Sequence, residues 1–232
     1  MIMKKVAILQ SNYIPWKGYF DIIGSVDEFV LYDDMQYTKN DWRNRNKIKT
    51  QKGLEWITIP VRVESLSQTI LETRIANPAW HKQHWKMLAQ NYAKAAHFKE
   101  YKDVFEELYL GATETSLSEI NRKFIQAING LLGITTTIRC SSEFTLAPGK
   151  SERLLELCKT LGATTYLSGP AAKDYLDAAI FAEAGIGVEW MDYSGYPEYT
   201  QLFPPFAHGV SIVDLLFNEG ANAPKFMKGV QR

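Results

Sequence analysis

Cysteine is scarce in this 232-residue chain, which has only Cys140 and Cys158. Their spacing gives neither a metal-binding pair nor a framework of disulfides, so a small secreted fold stapled by cystines is excluded. Cys158 falls on the inner face of a predicted helix, where we expect an inert thiol. A reducing cytoplasm is therefore the predicted location.

The chain also lacks an excess of charge of one sign and any long hydrophobic run. Lysine plus arginine and aspartate plus glutamate both number 26, so the formal net charge is zero. A neutral chain has no general electrostatic attraction to nucleic acid or to an anionic membrane. The apolar runs are far shorter than the roughly 20 residues that span a bilayer, and no secretory signal pattern opens the chain. We expect a cytoplasmic protein with no nucleic-acid partner and no membrane insertion.

Short apolar runs and helical periodicity predict an alternation of strands and helices. Strands are predicted at residues 4–9, 28–32, 56–63, 70–75, 135–140, 164–167 and 187–191. Helices are predicted at residues 19–25, 80–93, 101–110, 117–132, 151–161, 171–184 and 211–220, with residues 35–53 irregular. Ser151 is the predicted N-cap of its helix, and Gly133 the predicted stop of another.

This order predicts an α/β fold with a doubly wound, mostly parallel sheet, of the nucleotidyltransferase-like or HUP-like Rossmannoid kind. Residues 1–232 form a single domain in this interpretation, and residues 78–132 form a mainly helical insertion within it. Ligands of such sheets bind outside the carboxyl ends of the strands. The segments that follow Leu9, Tyr32 and Leu167 are therefore expected to lie close together.

Residues 10–21, QSNYIPWKGYFD, pack many polar and aromatic groups into the exit of the first predicted strand. Pro15 and Gly18 stand where nucleotidyltransferase-like folds carry a His-x-Gly-His signature, with Trp16 and Tyr19 in place of the two histidines. The missing histidines disfavour ordinary adenylyl transfer. The structural alternative is a Pro-Gly turn around a buried tryptophan.

A second polar group follows the second predicted strand. Asp33 and Asp34 are paired acids that suit a general base, a substrate hydroxyl or a cation. Arg43, Arg45 and Lys47 suit a phosphate clamp. The alternative is a solvated charged loop, and the predicted position at the mouth of the sheet favours a site.

A third candidate follows the strand at residues 164–167. Ser168, Gly169 and Pro170 form a small-residue turn before a predicted helix, and Tyr175 lies shortly beyond. Exposed backbone N–H groups at such a turn bind anions, although a tight strand-to-helix connection explains the pattern equally well.

The histidines add one candidate for proton transfer, His208, which lies in an aromatic loop. His81 and His84 have a spacing that two metal ligands share, but no acid or cysteine stands nearby in sequence. We therefore predict packing or surface roles for them and no metal site.

Five segments carry a recognisable set of motifs: QSNYIPWKGYFDII, DEFVLYDDMQYTKNDWRNRNKIK, WITIPV, YLSGPAAKDYL and SIVDLLFNEG. Together they resemble the WbqC-like family, and the resemblance covers nearly the whole chain. It implies a transferase that modifies a nucleotide-activated amino sugar in bacterial surface-polysaccharide (O-antigen, lipopolysaccharide) biosynthesis. One interpretation of that family is aminoacyl (glycyl) transfer to a sugar amine.

The resemblance also implies a set of site residues. They are Gln10, Asn12, Tyr13, Pro15, Trp16, Gly18, Asp33, Asp34, Tyr37, Asp41, Trp42, Arg43, Asn44, Arg45, Ser168, Gly169 and Tyr175. In this hypothesis Arg43, Arg45 and Lys47 neutralise a pyrophosphate or acyl phosphate, and Trp16 or Trp42 stacks on a base or a sugar ring. Asp33 or Asp34 accepts the proton of the attacking amine.

The expected partners are small molecules, a nucleotide-sugar and an amino acid. The cofactor stays open, with ATP as one candidate, and so does the oligomeric state. The alternative function is a non-catalytic protein that holds a nucleotide-sugar or nucleotide for a partner enzyme, which the loss of both signature histidines favours. RNA binding through residues 39–52 ranks lower because the chain is neutral overall.

Overall fold

The computed structural model describes residues 3–230. The strands are β1 (Lys5–Leu9), β2 (Glu28–Leu31), β3 (Arg45–Thr50), β4 (Gly53–Thr58), β5 (Val61–Arg62), β6 (Arg74–Ile75), β7 (Thr137–Cys140), β8 (Thr165–Ser168) and β9 (Gly187–Trp190). The α-helices are α1 (Lys17–Gly24), α2 (Trp80–Tyr92), α3 (Phe98–Leu110), α4 (Leu117–Leu132), α5 (Ser151–Thr160), α6 (Ala178–Glu183) and α7 (Ile212–Glu219). Short 3₁₀ helices lie at Ser141–Glu143, Pro170–Asp174 and Gly220–Phe226.

A five-stranded sheet in which every strand is parallel to its neighbours forms the centre of the fold. Its strand order is β7-β2-β1-β8-β9. The chain builds outward from β1 in one direction and then crosses to build outward from β8 in the other. The strand order therefore reverses between β1 and β8, and this topological switch point is where open α/β sheets bind ligands.

Helices cover both faces of the sheet, because side chains alternate along each strand. Val6 and Ile8 of β1 pack in one core cluster with α5 and α6, which contributes Phe181. Ala7 points to the opposite face, where a second core cluster includes Phe20 of α1 and residues of α2, α3, α4 and α7. The fold is thus α/β with helices on both sides of a parallel sheet, consistent with a Rossmann-like architecture. The closer assignment to a HUP-like fold stays a prediction.

The predicted helices between residues 80 and 132 are confirmed as α2, α3 and α4. Gly133 ends α4 with a φ of 71°, a left-handed conformation that favours glycine. None of the helices within residues 3–230 is both long enough and apolar enough to cross a membrane.

The prediction that residues 35–53 are irregular is wrong in its second half. Residues Arg45–Thr50 form β3, which pairs with β4 in an antiparallel hairpin. The predicted strand at 56–63 is interrupted after Thr58, so Val61–Arg62 belongs to a separate ribbon, in which β5 pairs with β6. Of the strand predicted at 70–75, only Arg74–Ile75 forms.

The helix predicted at 171–184 is also wrong, because the chain forms a 3₁₀ helix and then the short α6. Asp177 starts α6 as its N-cap, accepting a hydrogen bond from Ala179 N at 3.0 Å. Ser151 is the first residue of α5 and not its N-cap. Its Oγ accepts a hydrogen bond from Asp177 N at 3.0 Å, so a tertiary partner replaces the predicted capping contact.

Candidate functional site

A cavity of about 750 Å³ opens at the carboxyl ends of β1 and β8, at the topological switch point. We call it the switch-point cavity. Its lining residues are Ile8, Leu9, Gln10, Asn12, Tyr32, Met35, Arg43, Gly149, Lys150, Arg153, Leu154, Tyr166, Ser168, Gly169, Ala171, Ala172 and Tyr175. Its volume lies in the range of small-molecule sites and is more than twice those of two smaller cavities, about 280 and 300 Å³.

Six of the residues predicted from the sequence line this cavity: Gln10, Asn12, Arg43, Ser168, Gly169 and Tyr175. Hydrogen bonds confirm the expected approach for the exits of β1 and β2, and Ser168, at the end of β8, lines the same cavity as Gln10. Tyr32 N donates to Leu9 O at 2.8 Å, and Tyr13 N donates to Trp42 O at 3.1 Å. The Arg43 guanidinium donates to Asn12 Oδ1.

The electrostatics of the switch-point cavity favour an anion. Arg43, Lys150 and Arg153 line it, and none of its lining residues within 3–230 is acidic. Burial lowers the pKa of Arg43, and the Asp41 carboxylate 3.6 Å away opposes that shift. A pocket lined by three cations suits a ligand that carries phosphate groups.

Lys150 and Arg153, at the start of α5, were not among the predicted site residues. A recognisable signal was present, because Gly149 and Lys150 precede a helix that follows a strand of the parallel sheet. Such helix N-termini lie at the carboxyl edge of the sheet and favour anions. Arg153 is held in place by its Nε, which donates to Ala147 O at 2.6 Å.

Asp33 lies beneath the cavity and does not line it. Asp33 is 2% exposed, and its carboxylate accepts hydrogen bonds from Ser11 N at 2.8 Å and from Ser118 Oγ. Burial raises the pKa of Asp33, and these hydrogen bonds oppose the shift. Asn121 completes the network by donating to Ser11 Oγ and to Arg43 O, both at 2.9 Å. The network therefore fixes the two loops that carry Asn12 and Arg43.

Asp34 is half-buried and lies between the lining residues Tyr32 and Met35. It accepts a hydrogen bond from Ser141 Oγ, which joins the exits of β2 and β7. His208 does not line the switch-point cavity. Its ring packs edge-to-face on Phe206 with a centroid distance of 4.6 Å, and burial lowers its pKa.

A second, smaller cavity of about 280 Å³ shares Asn12 with the first. Its other lining residues are Pro15, Trp16, Trp42, Asn46 and Gly209. We call it the indole cavity, because two tryptophans predicted as stacking residues form its walls. Pro15 and Trp16 thus belong to a different cavity from Gln10.

The remaining predicted residues lie outside both cavities. Tyr13, Tyr37 and Asn44 are buried. Gly18 packs beneath Trp16, since an added Cβ would lie 2.4 Å from the indole ring. Asp41 pairs with Arg43, and Arg45 and Lys47 lie over the Trp56 ring at 4.0 and 5.0 Å.

The comparisons with known proteins agree with this arrangement of motifs. A model described as the WbqC-like protein family matches residues 10–226. The chain belongs to the WbqC-like family. This confirms the resemblance given by its motifs, which include the exits of β1, β2 and β8.

The WbqC-like chain is also similar to Uncharacterized protein Rv1507c of Mycobacterium tuberculosis (strain ATCC 25618 / H37Rv). The two are 54% identical over 227 residues, which cover 97% of this chain and 98% of the other. No solved structure matches the chain significantly.

The site of this WbqC-like protein shows no metal-binding arrangement in the described part of the chain, where no three His, Cys, Asp or Glu side chains cluster. His84 lies in the core, where its ring nitrogens bond to Tyr13 Oη at 2.8 Å and Thr58 O at 3.0 Å. Burial raises the pKa of the Cys158 thiol to about 12, which agrees with an inert cysteine.

Proposed function

We propose that this protein binds a nucleotide-activated amino sugar in the switch-point cavity and transfers an acyl group, such as glycyl, to the sugar amine. The observation that carries the proposal is the set of three cations, Arg43, Lys150 and Arg153, at the topological switch point. Arginine binds phosphate oxygens through two parallel N–H groups, and a diphosphate offers enough oxygens for all three cations. The family resemblance supports a role in bacterial surface-polysaccharide (O-antigen) biosynthesis.

The apolar part of the same cavity supports a nucleoside next to the phosphates. Tyr32, Leu154 and Tyr166 line it together with Ile8 and Leu9. Flat and apolar walls next to cations match a ligand with a ring at one end and phosphates beside it.

In the proposed reaction the nucleophile is the neutral amine of the sugar. Its nitrogen forms an amide bond with the carboxyl carbon of an activated amino acid, and the activating phosphate leaves. Asp34 is the better candidate for taking up the proton that the amine releases, because Asp33 is fully engaged beneath the cavity.

The binding proposal is tested by titrating the protein with UDP- and dTDP-amino sugars, following both the thermal unfolding midpoint and the heat of binding. A ligand that binds only the folded state raises the midpoint. Arg153→Ala should weaken binding at least tenfold, since a hydrogen bond to a charged group contributes about 1.5–3 kcal/mol. Lys159→Ala is the matched control, because Lys159 lies on the same helix and pairs with Glu156 at 3.6 Å. Equal affinities for the two variants, or no binding by the wild type, would contradict the proposal.

A second candidate function is a non-catalytic nucleotide-sugar holder. It is favoured by the carboxylates of Asp33 and Asp34, both of which accept hydrogen bonds from serine side chains. Incubation with an amino sugar nucleotide, glycine and ATP separates the two functions, with the product detected by mass spectrometry. A transferase adds the mass of a glycyl group and loses turnover in Asp34→Asn while keeping affinity. A holder binds the sugar nucleotide and gives no product in either form.

A further inference from the structure

The indole cavity differs in chemistry from the larger cavity beside it. Trp16 and Trp42 give it apolar walls, Asn12 and Asn46 also line it, and no charged side chain within residues 3–230 does. The buried Asn46 amide donates to Tyr13 O and Ile14 O and accepts from Lys47 N, and Asn12 Oδ1 accepts from Arg43, so Asn12 Nδ2 is the amide group left for a ligand. Three side chains of the switch-point cavity are cations. The two cavities therefore suit two different parts of a ligand.

The cavities meet at Asn12, which lines both. The Arg43 guanidinium donates to Asn12 Oδ1 and lines the switch-point cavity, and the preceding residue, Trp42, lines the indole cavity. A phosphate bound to Arg43 is therefore close to Asn12 and Trp42, which line the indole cavity. A group attached to that phosphate has a short path into it.

Both indoles are held in place by neighbouring rings. Trp42 packs against Trp56 with a centroid distance of 5.2 Å, and Lys47 Nζ lies 5.9 Å from the Trp42 ring. Trp16 contacts Tyr193 and Tyr196 edge-to-face, at 5.2 and 5.8 Å. Walls fixed in this way lose little conformational entropy when a ligand packs between them.

We propose that the indole cavity is the sugar subsite: the hexose ring of the nucleotide-sugar packs there, its diphosphate lies at Arg43, and its nucleoside occupies the switch-point cavity. This inference rests on the function proposed above. A hexose ring presents an apolar face of C–H groups, which packs on an indole, and a rim of hydroxyls, one of which accepts a hydrogen bond from Asn12 Nδ2. A nucleoside with its phosphates needs the larger volume and the cations of the neighbouring cavity.

The experiment compares how Trp42→Ala changes the binding of UDP and of UDP-glucosamine, and of dTDP and dTDP-glucosamine, by calorimetry. Affinity for the sugar-bearing ligands should fall at least tenfold, and affinity for the free nucleotides should change less than twofold. Trp42→Phe, which keeps an aromatic wall, should retain most of the affinity for the sugar. Trp42 is 40% exposed, so the variants are expected to fold, and their thermal unfolding midpoints verify this.

A second readout is the proton NMR spectrum of bound UDP-glucosamine, in which sugar protons over an indole face shift upfield in the wild type and not in Trp42→Ala. If Trp42→Ala weakens nucleotide and nucleotide-sugar equally, or neither, the sugar subsite is wrong although the proposed function stands. If the wild type binds none of the four ligands, the proposed function fails and the subsite fails with it.

Discussion

At the residue scale, Tyr13 shows how one polar group of the first strand exit serves the core and not the site. Its hydroxyl lies 2.8 Å from His84 Nδ1 and 2.7 Å from Tyr109 Oη. Because Thr58 O can only accept, the neutral His84 ring carries its proton on Nε2, 3.0 Å from that carbonyl. Nδ1 then accepts from the Tyr13 hydroxyl, which in turn accepts from Tyr109. Every member of this buried chain is satisfied while His84 is neutral.

This series of hydrogen bonds predicts that the protein loses stability in acid. Burial lowers the pKa of His84 to about 4, so between pH 6.5 and about 4 the unfolded chain takes up a proton that the folded chain refuses. The free energy of unfolding should fall across this window by about 3 kcal/mol, from this residue alone. Urea unfolding at several pH values measures it. The variant His84→Gln should show a shallower decrease, and the same pH dependence in both proteins would disprove the assignment.

Asp33 and Asp34 also show that neighbouring polar residues of one strand exit can have different surroundings. Asp33 and Asp34 are adjacent in the turn that follows β2, and their side chains have different partners. Asp33 is buried among Ser11, Ser118 and their neighbours, and Asp34 is half-buried beside cavity-lining residues. The sequence places both acids at the carboxyl edge of the sheet, and only the packed loops distinguish their roles.

At the element scale, one glycine lies within α4 and another follows its last residue, and their backbone conformations differ. Gly130 lies within the helix, and Gly133 follows its last residue in the left-handed region, at φ 71°. Neither has a neighbouring atom within 4 Å of an added Cβ, so backbone conformation alone separates them.

Alanine substitutions at these two positions should therefore change stability in opposite directions. Gly130→Ala should raise the free energy of unfolding by about 0.5–1 kcal/mol, because alanine loses less backbone entropy in a helix. Gly133→Ala should lower it by about 1–2 kcal/mol, because an L side chain is strained in the left-handed region. Chemical denaturation of the two variants next to the wild type provides the measurement. A shift of the same sign in both would refute the assigned helix end.

The β3–β4 hairpin is an element whose first strand was not predicted from the sequence. Its first strand, RNKIKT, has a single large apolar residue, Ile48, so it resembles a solvated loop. Besides β4, the strand has partners in distant segments. Lys49 Nζ donates to Pro205 O and Ser211 N donates to Lys47 O at 2.8 Å. Local patterning contains no trace of such contacts, which is why the prediction failed here and succeeded for the apolar strands of the central sheet.

At the scale of the whole molecule, the helical insertion shares its core with the sheet. Phe217 of α7 packs against Phe98 and Phe105 of α3 at centroid distances of 5.0 and 5.1 Å. Tyr13, in the exit of β1, packs against Phe124 of α4 at 5.8 Å. Unfolding of the insertion would therefore expose core side chains of the sheet, and unfolding of the sheet would expose core side chains of the insertion.

This shared core predicts that the chain unfolds as one cooperative unit, as the single-domain assignment of residues 1–232 requires. Intrinsic fluorescence, to which Trp80 and Trp85 of α2 contribute, and far-ultraviolet circular dichroism should give the same urea midpoint. The control is Trp190→Phe, which removes a fluorophore of β9 and should leave the two midpoints coincident. A fluorescence transition at lower urea would show that the insertion unfolds independently.

The sequence by itself determined the parallel sheet, the helices of the insertion and the carboxyl edge at which the polar motifs gather. Apolar runs and helical periodicity are local signals, and parallel connections bring strand exits to one edge whatever the loops contain. Only the tertiary structure decided which side chains line a cavity: Arg43 does, and Tyr13 and Asp33 do not. It also decided that Lys150 and Arg153, more than a hundred residues away in sequence from Arg43, join it. Burial and direction depend on packing between distant segments, which no local pattern contains.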